Sequence, residues 1–273
     1  MKKSSNSDYL FGVNQTELER LQFQHSVWKP VTDKFFDRLN IRQGWKCLDV
    51  GAGPGLVAMD LRTRVGDHGE VTALEPSAFY LDWFRGQSKK KGLTNIKYIE
   101  GTAEEADLAE NYFDFVFSRW VISFVPDPEK FLIRLIASLK KGGILALQDY
   151  YYEGLSLYPL GGTFDRMRDV VQAYYRSRGG DPYVAGKVPG IFRKHGLRVI
   201  DYTPNCLAGG PESGIMEWAH KFFSVHTQAM IDKGIIQQEE GDAMLADWEV
   251  HRENPDAIFF SPIVVDIAAV FSS

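Results

Sequence analysis

Hydrophobic positions along this chain follow two alternating rhythms: short continuous apolar runs, and longer stretches in which apolar residues recur every three or four positions. The runs read as strands and the stretches as amphipathic helices. A first strand at Lys46–Val50 breaks into glycines at 51, 53 and 55, and a helical pattern follows with Leu56, Val57, Met59 and Leu61. Val71–Leu74 is a second strand ending in Glu75. Ser77 can cap the next helix, which ends near Gly92, and Ile96–Ile99 is the third strand. Phe113–Phe117 is almost continuously apolar, as in a strand buried on both faces. Asp127-Pro128-Glu129 supplies an N-cap, a proline at the first helical position and an acid in the first turn. That helix puts Phe131, Leu132, Leu135, Ile136 and Leu139 on one face and is expected to close at Gly142-Gly143, before a fifth strand at Ile144–Leu147. Strands alternating with helices predict a parallel sheet with right-handed crossovers.

The flanks are less regular. Leu18, Leu21 and Trp28 share a helical spacing, with Phe23 off that face; Pro30 is expected to interrupt the helix, and a second one from Val31 carries Phe35, Phe36 and Leu39 towards the core before Gly44. Arg20, Gln24 and His25 on the first helix fit an exposed face and a ligand role equally well. After strand five come Tyr150, Tyr151 and Tyr152, then an amphipathic run through Phe164, Met167, Val170, Val171 and Tyr174. Val188–His195 reads as a short helix and Leu197–Tyr202 as a sixth strand. Two helical patterns fill Ile215–Val250, and the aromatic stripe Trp218, Phe222, Phe223 reads as core ahead of pocket. Ile263–Ala269 is the last strand. The expected organisation is a helical cap over residues 1–44 and one domain over 45–273, with helical insertions at about 150–190 and 211–256.

Charge narrows the partners. With 31 Lys plus Arg against 36 Asp plus Glu, the net charge of -5 argues against nucleic acid as a substrate. Lys89-Lys90-Lys91 sits where a helix C-terminus would favour cations. Two cysteines make no disulfide framework and fit a reducing cytoplasm. No apolar run approaches the ~20 residues of a membrane span, and the first residues lack the apolar core of a signal peptide.

The glycine turn carries the chemistry. Three alternating glycines let the backbone take positive φ and approach a ligand closely. A dinucleotide fingerprint needs Gly-x-Gly-x-x-Gly, but Leu56 occupies the last position, and no Gly-Lys-Ser/Thr makes a phosphate loop. What remains is Asp-x-Gly-x-Gly-x-Gly, with Asp49 at the carboxyl end of a strand, suited to a ligand carrying positive charge. Glu75 follows Gly55 by the ~20 residues at which such units place an acid for ribose hydroxyls. Thr102 and Glu105 have the spacing of a capping box, and Ser118 and Arg119 stand at the exit of strand four.

Leu48 to Gly55, Glu75, Phe113-Asp114 and the Leu139-Lys140-Lys141-Gly142-Gly143 turn together resemble a class I S-adenosylmethionine-dependent methyltransferase of the small-molecule, ubiquinone/menaquinone-methyltransferase-like type. The resemblance covers roughly residues 45 to 150. It implies an α/β, Rossmann-like, doubly wound seven-stranded sheet, mostly parallel with an antiparallel last strand, and S-adenosylmethionine as methyl donor. It also implies donor contacts from Asp49, Gly51, Ala52, Gly53, Gly55 and Glu75, with Pro76, Thr102, Ala103, Glu104, Ser118 and Arg119 around the adenine and the strand exit. Relatives carry Asp where this chain has Thr102, which can accept only as a neutral hydroxyl. Tyr9-Leu10-Phe11-Gly12 with Glu17, Arg20, Leu21, Gln24 and Trp28 resembles a helical cap that, in one subgroup, closes over the methionine end of the donor.

Methyl transfer from a sulfonium needs alignment and exclusion of water more than catalysts. The six histidines are scattered, without a pair four apart to form a metal face, so no metal is expected. His226, beside the aromatic stripe, is the one candidate base. The acceptor is expected to be a small, apolar or planar molecule. The alternatives are a donor-binding regulatory protein without turnover and an NAD-dependent oxidoreductase, which Leu56 disfavours. An RNA-modifying enzyme is disfavoured by the acidic balance and by the missing Asn-Pro-Pro-aromatic tetrad.

Overall fold

The computed structural model of the chain describes residues 13–271. Helix α1 (Gln15–Arg38) precedes alternating β1 (Lys46–Val50), α2 (Leu56–Val65), β2 (Glu70–Glu75), α3 (Ala78–Lys90), β3 (Ile96–Glu100), β4 (Phe113–Arg119), α4 (Pro128–Ser138) and β5 (Leu139–Tyr151). The later elements are β6 (Ser156–Tyr158), α5 (Met167–Ser177), α6 (Val184–Lys194), β7 (Leu197–Asn205), β8 (Ala208–Gly209), α7 (Gly214–Asp232), α8 (Gln238–Glu253), β9 (Ile258–Phe260) and β10 (Ile263–Phe271). The main sheet runs β3-β2-β1-β4-β5-β10-β7, and β10 is antiparallel to both of its neighbours. This is the seven-stranded Rossmann-like sheet with an antiparallel last strand that the sequence predicts. A second sheet, β6-β9-β8, went unseen because strands of two or three residues carry no alternation signal.

Pro30 does not end the first helix. α1 continues through it to Arg38, because both halves bury apolar faces that a break would separate. Trp28 packs with the helices of the later chain, whereas Phe35 and Phe36 pack beneath the sheet on Phe115 and Phe117. Polar contacts clamp the same helix. Thr32 Oγ1 donates to Gln148 Oε1 at 2.7 Å, Gln148 Nε2 donates to Asp266 Oδ1 at 2.7 Å, and Arg38 Nη2 donates to Asp266 Oδ2 at 2.8 Å. Asp266 is fully buried, so its charge is tolerated only with these partners.

Three further expectations shift. α4 ends at Ser138, and Gly142-Gly143 lies within β5, where the register against β4 slips between Phe113 and Phe115. Thr102 and Glu105 open no helix: residues 102–106 form a turn, since Ala106 and Leu108 are already committed to the core just ahead of β4. α6 begins at Val184, ahead of the expected start, because Val184 and Ala185 are fully buried.

If α1 is integral to the sheet's core, Phe36→Ala should cost about 3 to 5 kcal/mol, the range for truncating a buried Phe. Phe36 is fully buried, and its ring meets Phe117 edge-on at 4.9 Å. Urea denaturation measures the loss; a value under about 1 kcal/mol would mean that this half of α1 is dispensable.

Candidate active site

The carboxyl ends of β1, β2 and β4, with the first turns of α1 and the segments after β3, β4 and α5, enclose a cavity of about 640 Å³. Sites of this size hold a nucleoside-sized ligand and a small second molecule. Its two halves differ in chemistry.

One half is built by the glycine turn. Gly51 and Ala52 donate their N–H groups to the Leu74 carbonyl at 2.8 and 3.0 Å, which pins the turn across β2. Gly53 N–H donates to Glu75 Oε2 at 2.8 Å, and Ser77 N–H donates to Glu75 Oε1 at 2.9 Å. The glycines at 51, 53 and 55 all have positive φ. They serve different ends. A Cβ on Gly53 would project into open space, whereas one on Gly55 would overlap the Phe84 ring. Gly53 therefore leaves room beside the cavity, and Gly55 lets the turn sit on α3.

Two buried carboxyl groups face this half. Burial pushes Asp49 up to about 7, against the opposing pull of the Arg119 guanidinium and the Ala58 N–H at the start of α2. Asp49 Oδ2 is enclosed and has no hydrogen-bond partner among the described residues. Burial likewise lifts Glu75 to about 7 despite its two backbone donors. Arg119 Nη1 donates to Thr32 Oγ1 at 3.0 Å, and Nη2 reaches His25 Nδ1 at 3.1 Å. The arginine can only donate, so His25 must be neutral at Nδ1 and carry its proton on Nε2, 3.2 Å from Asp60 Oδ2. Burial, the first cause, lowers the His25 pKa and favours this neutral form.

The other half is aromatic. Trp120 leaves β4 with φ 56, unusual for a residue with a Cβ, and its ring lies 6.1 Å from Tyr150 at 18°. The Arg119 guanidinium stands 4.6 Å from the centre of the Trp120 ring. Phe124 and Tyr175 contact at 4.7 Å, and Phe222 of α7 and Arg178 after α5 complete the wall. Asp149 holds the turn between Trp120 and Phe124 by accepting from Tyr150 N–H at 2.8 Å and from Ser123 N–H. Burial raises its carboxyl to about 6.

Of the residues singled out from sequence, Arg20, Gln24, Asp49, Gly51, Ala52, Gly53, Glu75, Pro76, Thr102, Ala103, Glu104 and Arg119 line this one cavity. Tyr9 lies outside the described residues. Four others stand behind the wall. Trp28 is fully buried among aromatic rings, Gly55 backs onto Phe84, and Ser118 Oγ donates to the Val50 carbonyl at 3.0 Å. His226 does not line the cavity: it is buried behind Phe222, and burial together with the Arg20 charge lowers its pKa to about 3. A ring so reluctant to take a proton is a poor base. Of the aromatic residues in the two insertions, Tyr150 and Phe222 reach it, whereas Tyr152, Trp218 and Phe223 are core, as the stripe reads, and Tyr151 and Tyr158 are exposed. Trp120, Phe124, Phe131, Tyr175 and Arg178 line it without having been singled out. Their one available signal was position, since Trp120, Phe124 and Arg178 follow the ends of β4 and α5 closely. Among the described residues no His, Cys, Asp or Glu side chains cluster to hold a metal ion, and no helix is long and apolar enough to cross a membrane.

A seven-stranded Rossmann-like sheet of this strand order, with its antiparallel member, is the methyltransferase fold. Residues 48–147 match the family described as "Methyltransferase domain". Among individual proteins it is 29% identical over 127 residues to the ubiquinone/menaquinone biosynthesis C-methyltransferase UbiE of Idiomarina loihiensis, covering 46% of this chain and 49% of that protein. The chain thus spans about half the length of the curated relatives it matches. The YcgJ protein of Bacillus subtilis shares the fold at a TM-score of 0.56 and 18% identity, over 85% of this chain and 94% of that one. Precorrin-6y C5,15-methyltransferase of Geobacter metallireducens does so at a TM-score of 0.52 and 16% identity, over 88% and 87%.

The two glycine environments separate by mutation. Gly55→Ala should lower stability by about 1 to 3 kcal/mol through overpacking against Phe84. Gly53→Ala should leave the melting temperature nearer that of the native chain and instead weaken binding of S-adenosylhomocysteine. Calorimetry and thermal melts on both variants decide; if Gly53→Ala binds normally, the turn does not border the donor.

Proposed function

We propose that this chain transfers the methyl group of S-adenosylmethionine to a small acceptor with an apolar or planar body. The observation that carries the reading is that one cavity joins two unlike halves, buried acids at the strand ends and an aromatic chamber beside them. The donor supplies a methyl group on a positively charged sulfur, and the residues present fit it. Asp49, with an enclosed and unpartnered oxygen, suits a cationic amino group, and Glu75 can accept from ribose hydroxyls. Pro76, Thr102, Ala103 and Glu104 border the space for an adenine, and Arg20 and Gln24 of α1 face the amino-acid end. Arg20 is held for this by Glu17 at 2.8 and 2.7 Å and by Gln24 Oε1 at 2.9 Å. Gln24 is fixed in turn by Trp218 Nε1 at 2.9 Å.

The chamber offers walls rather than a base. Tyr150 and Tyr175 line it, but burial raises both hydroxyls far above neutral, so they do not lose a proton at neutral pH. The acids of the cavity, Asp49, Glu75 and Glu104, stand on the donor side. An acceptor that brings its own nucleophile, such as a thiolate, an acidic carbon or a neutral amine, suits this chamber better than an unactivated alcohol.

Turnover of S-adenosylmethionine with a panel of thiols, amines, phenols and acidic carbons tests the activity, and calorimetry with S-adenosylhomocysteine and NAD tests the donor. Glu75→Ala should weaken the nucleoside by about 1.5 to 3 kcal/mol, the range for a hydrogen bond to a charged group. His226→Ala should keep the native pH profile with the best acceptor, and loss of an acid limb would show that a base is used after all. Tight NAD binding without binding of the nucleoside would end the methyltransferase reading.

The two raised carboxyl groups add a pH dependence. Their contribution to stability is complete below the ordinary carboxylate range and is lost as pH rises through about 7, because each is then ionised and buried. A cationic ligand on Asp49 and hydroxyls on Glu75 compensate most where the loss is greatest. The rise in melting temperature caused by S-adenosylhomocysteine should therefore be larger at about pH 8 than at about pH 5.5. An equal rise at both would take these carboxyl groups out of the binding site.

A further inference from the structure

The cations lining the cavity are not equivalent. Arg20 is paired with Glu17, and Arg119 is committed to Thr32 and His25. Arg178 lines the same cavity, remains partly exposed, and makes no side-chain hydrogen bond or ion pair among the described residues. Its backbone is fixed nonetheless. Arg178 N–H and Gly180 N–H both donate to the Tyr175 carbonyl at 3.1 Å, and Asp181 N–H donates to the Ser123 carbonyl at 2.9 Å. Gly180 lies so close to the Ser123 carbonyl that a Cβ there would overlap it. The loop is thereby docked on the turn that carries Phe124, so the guanidinium starts from a fixed point beside the aromatic half. Tyr175 lines that half too, and its hydroxyl, kept neutral by burial, is able to donate.

Among the described residues the acids that line the cavity are Asp49, Glu75 and Glu104, of the donor half, and the chain as a whole is negatively charged, so its general field does not attract anions. A cation on a fixed stretch of backbone, in the same cavity as the Tyr175 hydroxyl and an apolar wall, selects a particular chemistry. An uncharged aromatic body leaves the cation unused, and a protonated amine meets like charge. We infer that the methyl acceptor carries an anionic group, a carboxylate or a phosphate, on its apolar body, and that Arg178 with Tyr175 binds that group and orients the acceptor. A charge-assisted bond to a guanidinium is among the stronger polar contacts available, and the apolar surroundings strengthen it.

This inference rests on the methyltransferase reading for the meaning of the bound anion, so the donor is measured separately. Protein saturated with S-adenosylhomocysteine is titrated with 1-naphthoate, 1-naphthyl phosphate, 1-naphthamide and 1-naphthylmethylamine, and the quenching of tryptophan fluorescence is read. At least one of the two anions should bind ten times or more tighter than the amide, with the amine weakest; the tighter anion identifies the group. Arg178→Gln should bring that anion down to the amide, Arg178→Lys should restore part of the preference, and Arg178→Glu should favour the amine. All three variants should bind S-adenosylhomocysteine as the native chain does. Equal affinities across the four probes, binding by none of them, or an anion preference that survives Arg178→Gln overturns the inference. Failure of the native chain to bind S-adenosylhomocysteine is the different result that sinks the donor reading.

Discussion

Trp28 is the contact on which the site depends. Its ring is fully buried and meets Trp120 edge-on at 5.9 Å and Trp218 edge-on at 5.7 Å. Those three rings come from α1, the exit of β4 and α7, three of the elements that wall the cavity. Edge-to-face aromatic pairs add about 0.5 to 1.5 kcal/mol each beyond their buried area, and they are directional. The arrangement therefore fixes where the later chain stands over the strand ends. The same helix then runs on through Thr32 to Phe35 and Phe36, so one rigid element belongs to two hydrophobic clusters at once. From His25 onward it is held by Asp60, Gln148 and Asp266 through side-chain contacts. Any closing movement of α1 over a ligand is thus confined to the turns before His25, where Arg20 and Gln24 lie.

The buried acids follow from the sheet. A parallel strand flanked on both sides and covered on both faces buries most of each side chain at its end, and Asp49 and Glu75 sit at the ends of two such neighbours. Burial raises both pKa values, and the partners that oppose it are backbone N–H groups and the distributed charge of Arg119. None of these is a carboxylate's full counter-ion. The fold thus holds two carboxyl groups near the midpoint of their titration, where a ligand supplying donors or positive charge has the greatest leverage on their ionisation.

How legible all this was depends on range. The strands from Lys46 to Leu147, the glycine turn, Asp49 and Glu75 were readable because each is set by neighbours within a turn or by a spacing of about 20 residues. Pro30 misled because local rules end a helix there, and only the distant partners of Phe36, on β4, show why this one continues. Thr102 and Glu105 had the letters of a capping box without the room for a helix before Leu108. Trp218, Phe223 and His226 share a helix face with Phe222, yet only Phe222 reaches the cavity. Helical periodicity cannot say which of several inward residues meets a space and which meets another helix. Arg178 had no signal beyond its place just after α5: a lone arginine before two glycines becomes meaningful only when the loop is seen docked on Ser123.

Trp120 is the residue at which local preference and the fold disagree most. Its φ of 56 is a region where a Cβ crowds the carbonyl, at a cost of roughly 1 to 2 kcal/mol. Glycine would remove that cost, and its absence is informative about what the ring does. The indole lies between the Arg119 guanidinium and Tyr150, and edge-on to Trp28, so it transmits the position of α1 to the chamber wall. Its backbone N–H donates to the Gln148 carbonyl at 3.0 Å, while the Gln148 side chain bonds Thr32 of α1. The strained backbone therefore turns the ring out of β4 into the cavity while staying tied to β5. Strain placed between two halves of one cavity suits the alignment role that the proposed transfer would need, since in-line transfer depends on holding two bound molecules in register more than on any single reactive side chain.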